Sequence, residues 1–384
     1  MSNSNFNYEK EIKKLEKQLI KLSKNTREKF NIELQKELNL LISRKTKEIK
    51  NKLRLNKIDQ NKKNTPAKST LSNENLEKLP SWVKDQIDKS SIVGNSNKVI
   101  QTPDKKKYHL DNKLNDLSGG EWTFFLNSVI TTRYSTSGSD SYAHEIRKIH
   151  PSPKPPQLMR QIIEFFTKER GLVFDYFMGV GGTLLGASLC NRKAIGIDLS
   201  AEYISAYRKA SKALNLVEQK TLQADSVNFL KKTSEFSKLL NDEEIDLILI
   251  DPPYGDMMAR EKTGEAAKNK KSSEATPFTN MEVDLGNMEW KKFREVFKDT
   301  IQNASKNLKE KGHIVIFIKD LQPKNGDPNL LHADLINDVN NVDEINYLGT
   351  KIWGDMSVNL YPYGYPHSYV SNQIHQYILI FRKG

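Results

Sequence analysis

Val173-Phe174-Asp175-Tyr176-Phe177-Met178-Gly179-Val180-Gly181-Gly182-Thr183 carries an apolar run into three closely spaced glycines, and an apolar segment follows. The pattern predicts a strand over 173–177, a tight turn, and a helix over 184–190. Glycines at such a turn let the backbone approach a ligand closely and direct amide N–H groups at it. The spacing is not the Gly-x-Gly-x-x-Gly of dinucleotide sites, which disfavours NAD. No Gly-Lys-Ser/Thr closes it as in a phosphate-binding loop. The next predicted strand, 194–197, runs into Asp198, an acid placed to accept from both ribose hydroxyls. Ala224-Asp225-Ser226 closes a further strand and sets Asp225 where an adenine amino group can donate to it. Singly, each acid reads equally well as a helix cap. Gly-rich turn, ribose acid and adenine acid together describe an adenosine without phosphates.

Outward from this unit the alternation continues. Helices are predicted over 158–168, 201–214, 289–308 and 330–339. Strands are predicted over 245–250, over 313–319 after the turn Lys311-Gly312, and over 347–353 and 376–382. This is the signature of an α/β fold with a doubly wound, mainly parallel sheet and an antiparallel edge.

The strand over 245–250 stops at Asp251-Pro252-Pro253-Tyr254. Proline cannot continue a ladder and stiffens the backbone, so carboxylate and ring are presented at the carboxyl edge of the sheet. Asp251 and the Pro252 carbonyl can accept the two protons of an exocyclic amino group, while Tyr254 stacks on the flat ring that bears it. Upstream, His150-Pro151-Ser152-Pro153-Lys154-Pro155 forms a rigid turn able to close over the amino-acid end of a cofactor.

Asp175-Tyr176-Phe177-Met178-Gly179-Val180-Gly181 resembles motif I of the S-adenosylmethionine-dependent amino methyltransferases. His150-Pro151-x-x-Lys154-Pro155 resembles their motif X, and Asp251-Pro252-Pro253-Tyr254 their motif IV. Lys311-Gly312-His313-Ile314 is similar to their turn before a late strand, and residues 377–382 to their closing strand. The likeness runs from about Leu117 to the C-terminus. It departs at Tyr176, where the family has proline, and in offering no segment after Lys383 for target recognition. The resemblance implies a Rossmann-like methyltransferase with S-adenosylmethionine as cofactor and no metal. The cofactor would be held by His150, Lys154, Asp175, Phe177, Gly179, Gly181, Asp198 and Asp225; Asp251, Pro252, Pro253 and Tyr254 would be catalytic. Asp at the first clamp position implies the N6 amino group of adenine in DNA, whereas Ser there leans to N4 of cytosine. Asp-Pro-Pro-Tyr-Gly also resembles tRNA guanine-N2 methyltransferases. A non-enzymatic alternative is an idle subunit that binds nucleic acid.

The chain has 384 residues, 37% hydrophobic and 28% charged, with a net charge of +12. Residues 1–70 carry 19 Lys/Arg against 8 Asp/Glu, so an excess of 11 lies in this arm and the rest is close to neutral. A basic arm on a near-neutral globule suits contact with nucleic-acid phosphate; the alternative is a solvated, lysine-rich helix. Residues 1–55 read as a basic helical or coiled-coil arm. Ile12, Leu15, Leu19 and Leu22, and less regularly Leu34, Leu38, Leu41 and Lys45, follow helical spacing within 8–55, a seam for a homodimer or a partner subunit. Residues 56–107 read as a linker with a short helix over 76–90, and 108–384 as the methyltransferase domain. The polar stretch 255–288 reads as a mobile substrate loop and, with the arm, as a candidate DNA contact. Tyr361-Pro362-Tyr363-Gly364-Tyr365-Pro366-His367 is either a base-stacking cluster or a packed surface loop. The single cysteine, Cys190, excludes a disulfide framework. No run of eighteen apolar residues or signal-peptide core is evident, so a cytoplasmic protein without membrane contact is expected.

Overall fold

The computed structural model describes residues 10, 12–18, 41–50, 65–255, 278–279, 281–321 and 330–384. It divides into two units, Met1–Asn64 and Thr65–Gly384. In the first, residues 12–18 and 41–50 are helical, carrying Ile12, Leu15, Leu41 and Lys45 of the two expected seams. Leu19, Leu22, Leu34 and Leu38 lie outside the described residues. No helix among the described residues is long and apolar enough to cross a membrane.

The second unit begins with a small module where the sequence reads as linker. Strands β1 (Thr65–Pro66), β2 (Ser91–Val93), β3 (Val99–Gln101) and β4 (Lys107–His109) form an antiparallel sheet in chain order. Short helices Ala67–Thr70, Asn73–Glu77 and Ser81–Lys84 cover it around a core of Ala67, Leu79, Val83, Ile92, Ile100 and Tyr108. From residue 65 onward the linker expectation is therefore corrected. β3 and β4 each bury a single side chain, Ile100 and Tyr108, so no periodicity exists to be read. The module is tied to the rest of its unit by Trp82, whose indole N–H donates to the Asp116 carbonyl at 2.7 Å. Ser81 adds a hydroxyl hydrogen bond to Glu169.

The main sheet has eight strands: β5 (Val129–Thr132), β6 (Leu172–Asp175), β7 (Lys193–Asp198), β8 (Lys220–Gln223), β9 (Ile245–Ile250), β10 (Leu308–Ile318), β11 (Ile345–Asp355) and β12 (His375–Lys383). Their order is β5-β11-β12-β10-β9-β6-β7-β8. Only β12 runs against the others, pairing antiparallel with both β10 and β11. The α/β, mainly parallel fold expected from the alternation is what the chain adopts. Two boundaries differ. β5 was hidden in the apolar run after Ser118, whose capping box with Glu121 starts the helix Gly119–Phe125. Lys311-Gly312 is no turn before a strand but an irregularity inside β10, between Leu308 and His313.

β9 is buried on both faces, which explains its unbroken apolar run. Ile248 and Ile250 pack with Phe293, Phe297 and Ile301 of the helix Trp290–Ser305. Leu247 and Leu249 pack with Leu158 and Ile162 of the helix Pro156–Phe166 and with Leu184 of the helix Gly182–Leu189. Each such side chain contributes about 1.5–3 kcal/mol of burial. After the edge strand β5, the chain crosses to β6, moves outward through β7 and β8, and returns to β9 on the other side of β6. Where the direction of winding reverses, the carboxyl ends of β6 and β9 diverge and leave a crevice.

Gly181 caps the turn after β6 with φ +74°, and a β-carbon there would sit 2.2 Å from the Tyr207 ring. Tyr207 is buried, and its hydroxyl accepts from the Gln219 N–H at 2.7 Å, so the ring cannot withdraw. Gly181→Ala should therefore cost about 3 kcal/mol or more, read as a lower urea midpoint at unchanged slope. A wild-type midpoint would show that the turn tolerates the side chain.

Candidate active site

β6 ends at Asp175, whose Oδ1 accepts the Phe177 N–H at 3.0 Å. Burial, with the charges of Asp251 and Asp198 nearby, pushes the Asp175 carboxyl up to about 7. Tyr176, where the resemblance expects proline, is a core residue. Its ring packs on Phe174, its hydroxyl meets Thr300 Oγ1 at 3.3 Å, and its carbonyl accepts from Ser226 Oγ at 2.6 Å. Phe177 packs against Tyr176 and lines the cleft.

The glycine turn is fastened to β7. The Met178 N–H donates to the Ile197 carbonyl at 3.0 Å, and the Gly179 N–H donates to Asp198 Oδ2 at 2.8 Å. The other oxygen of Asp198 accepts from the Ser200 N–H at 2.8 Å. Both oxygens keep a lone pair for a ligand hydroxyl. Burial pushes this carboxyl up to about 6. Asp225 also lines the cleft, but it caps the helix Ser226–Leu230: Oδ1 accepts from the Val227 N–H at 3.0 Å, and Oδ2 from the Asn228 side chain at 2.6 Å.

The segment 150–155 lies across the mouth of this turn. His150 Nδ1 accepts the Ser152 N–H at 3.1 Å, and its ring stacks on Phe278 at 5.1 Å. Burial and the neighbouring Lys154 and Arg147 charges lower its pKa to about 3, so the imidazole is neutral. Lys154 was expected at the cofactor. It lines the cleft, and its ammonium meets Asp251 Oδ2 at 2.5 Å and lies over the Phe317 ring. Its carbonyl accepts from Arg147 Nη1 at 2.9 Å.

Asp251 follows β9 directly. Oδ2 is held by Lys154, while Oδ1 is buried without a partner among the described residues. Burial pushes the carboxyl above its usual range, and the Lys154 ammonium pulls it back. Tyr254 is buried beside it, in the cluster of Phe293 and Phe297, and its phenol is pushed upward by burial and by the Asp251 charge. Pro252 and Pro253 form the wall between them.

A cleft of about 1040 Å³, counted out to its open mouth, joins these groups. All the residues singled out in the sequence line it except Gly181, which packs on Tyr207 instead. Phe278, Asp284 and Tyr203 complete the walls and were not foreseen. Asp284 Oδ1 accepts the Gly286 N–H at 2.9 Å, and Thr279 donates to its other oxygen at 2.7 Å. Of the stretch 255–288, residues 256–277 and 280 lie outside the described residues. Phe278, Thr279, Val283, Asp284 and Leu285 of this stretch form a wall of the cleft. The only available signal was a single large aromatic residue in a polar stretch.

Known proteins can now be compared. A family profile described as DNA methylase (N6_N4_Mtase) matches residues 2–209, more than half of the chain, ending before β8 and β9. The chain belongs to this DNA methylase family. Its cofactor is S-adenosylmethionine. Among curated relatives, the tRNA (guanine(10)-N2)-dimethyltransferase of Methanocaldococcus jannaschii is 34% identical over 38% of this chain and 41% of its own length. The type II methyltransferase M2.DpnII of Streptococcus pneumoniae is 41% identical over 17% of this chain and 25% of its own. The chain thus matches less than half the length of these relatives. The crystal structure of TrmN from Thermus thermophilus is 15% identical, with a TM-score of 0.39, covering 62% of this chain and 52% of that one.

The methylase cleft fits its cofactor by charge. Among the described residues, Asp175, Asp198, Asp225, Asp251 and Asp284 line it, against one cation, Lys154, already paired to Asp251. A pyrophosphate would be repelled by this set, whereas a sulfonium and an ammonium are attracted. Asp198 would hold the ribose hydroxyls, and the buried Thr183 Oγ1, facing Asp175, offers another polar contact on the same wall.

The raised carboxyls carry a pH signature. Asp198 in the folded chain holds its proton more tightly than in the unfolded chain, where 3.8 is usual, so stability from this group is present at low pH. That stability is lost as pH rises from about 4 to about 6. Asp198→Asn cannot ionise and should gain on the wild type across this window, read as the difference in melting temperature between pH 4 and pH 7. A difference independent of pH would place the Asp198 pKa at its ordinary value.

Proposed function

We propose that this protein transfers a methyl group to the exocyclic N6 amino group of adenine in DNA. The observation that carries the reading is the divided carboxylate of Asp251: Oδ2 is held by Lys154, and Oδ1 is buried beside Tyr254 without a partner among the described residues. An unpaired buried acceptor costs about 1–3 kcal/mol, and an amino N–H arriving at Oδ1 removes that cost. Accepting from the amino group localises the nitrogen lone pair, which the ring otherwise delocalises, as the bond to carbon forms. A carboxyl raised by burial is also suited to take the proton that the nitrogen loses. Lys154 counters the burial by favouring the ionised form of Asp251. S-adenosylmethionine, when bound, supplies the electrophilic methyl. Pro252 and Pro253 fix the height of the clamp, and Tyr254 limits the tilt of the base. A base in duplex DNA must leave the stack to reach this crevice.

Asp at the head of the clamp supports adenine over N4 of cytosine, and the family supports DNA. One observation favours a second reading, N2 of guanine in tRNA: the archaeal relative that carries that name matches the longer segment at 34% identity. We further place DNA contacts on the basic arm 1–55 and the segment 255–288, and a self-association or partner seam within 8–55.

Nucleoside mass spectrometry after incubation with DNA and with tRNA separates the readings. N6-methyldeoxyadenosine is expected; N4-methyldeoxycytidine or N2-methylguanosine would replace the reading by one of its rivals. Asp251→Ala should lower transfer at least a thousandfold, on the order expected when a preorganised transition-state contact is lost, with cofactor affinity kept. Near-normal turnover would remove Asp251 from the mechanism. Lys154→Met leaves the carboxylate without its cation, so the acid limb of the rate profile should move to higher pH. An unmoved limb would mean that Lys154 does not control Asp251.

A further inference from the structure

Residues 356–374 join β11 to β12 at the same sheet edge as the clamp. β11 and β10 both run antiparallel to β12, and β10 runs parallel to β9. Asp355 and Asp251 therefore end strands that point the same way. With the order β11-β12-β10-β9, the two strands lie three spacings apart, about 14 Å sideways, and the registers set Ile250 level with Thr350, so Asp355 stands further out in the same direction.

The segment is held, and its rings are exposed. Asn372 closes it by two hydrogen bonds to the Tyr361 backbone, each 2.8 Å: its Oδ1 accepts from the N–H and its Nδ2 donates to the carbonyl. The Gly364 carbonyl accepts from the His367 and Ser368 N–H groups, each at 2.7 Å, and the Met356 N–H donates to the Thr132 carbonyl, tying the root to β5. On this frame Tyr365 is 82% and Tyr369 92% exposed, and Tyr363 stands beside Tyr361 at 5.7 Å. The packed surface loop considered from the sequence is not what forms. Lys319, one residue past β10, interacts with the charges of both Lys154 and Asp355 and so lies between the clamp and the root of this segment. Among the described residues it forms no ion pair.

Exposed tyrosines on a braced backbone lose little entropy on binding, and an aromatic face accepts any base without reading its edge. We propose that residues 361–369 are a stacking platform for the unpaired DNA bases that flank the target, with Lys319 taking an intervening phosphate. The inference rests on the reading of the clamp as a DNA amino methyltransferase site. It deepens that reading by naming a single-stranded or locally opened substrate.

The test uses the full chain and single-stranded oligodeoxynucleotides of mixed sequence with 2-aminopurine at successive positions, at one fixed salt concentration. Wild type should quench the 2-aminopurine. Replacing both Tyr365 and Tyr369 by Ala should weaken DNA affinity about tenfold or more, the scale of one or two lost stacking contacts. Replacing both by Phe should leave affinity as in wild type. Cofactor affinity should be unchanged in both variants, which reports that they fold. The proposal fails if the alanine variant binds as wild type, or if the phenylalanine variant loses as much as the alanine variant. It also fails if RNA of the same sequence binds more tightly than DNA, or if the alanine variant changes the sedimentation of the free protein instead of its DNA affinity. A wild type that quenches and binds as expected yet methylates no DNA would leave the platform standing and overturn the reading of the clamp.

Discussion

The peptide of Lys154 rests on the turn that opens the helix Gly182–Leu189, and much of the site depends on that contact. A β-carbon at Gly182 would come within 2.7 Å of the Lys154 carbonyl oxygen, so only a residue without a side chain lets the two backbones meet. Arg147, itself buried, donates to the same carbonyl and braces the segment from the other side. With the backbone docked there, the Lys154 side chain crosses to Asp251, 97 residues further along the chain. The glycine turn after β6 and the Asp-Pro-Pro-Tyr turn after β9 are thus joined through one lysine. A displacement of the segment 150–155 would reach both.

Electrostatically, the cleft is a set of acids taken out of water with too few cations to balance them. Desolvation outweighs attraction at Asp175 and Asp198, and their carboxyls rise to about 7 and 6. A neutral or anionic ligand would leave that imbalance in place, whereas a cationic one relieves it. The mouth is apolar and aromatic instead. His150, held neutral, stacks on Phe278 and meets Tyr203 edge-on, so the wall adds no competing positive charge.

Much of this was legible because it is local. Unbroken apolar runs mark strands covered on both faces, glycines mark the turn after β6, and acids at strand ends mark the carboxyl edge. The small module of residues 65–109 was not legible, because strands of three residues with one inward side chain show no period. β5 was hidden for a similar reason: it is four residues long with no buried side chain, and its neighbour β11 lies more than two hundred residues later. Tyr176 looked like a loosened turn and is a core ring, because its partner Thr300 comes from a helix far along the chain.

From sequence alone followed the alternation of strands and helices from β6 onward, the glycine turn after β6 with acids at the strand ends, and the Asp-Pro-Pro-Tyr turn after β9. These depend on backbone chemistry and on side chains next to one another. Tertiary structure alone decided what each charge does. Lys154 reached Asp251 across the cleft, Asp225 committed much of its carboxylate to a helix cap, and Gly181 became a packing position. Phe278 and Asp284 became walls, and the tyrosines of residues 361–369 were left facing solvent. A carboxylate or an ammonium is spent on whichever partner the fold brings within about 3 Å under the least desolvation. That partner can be any distance away in the chain.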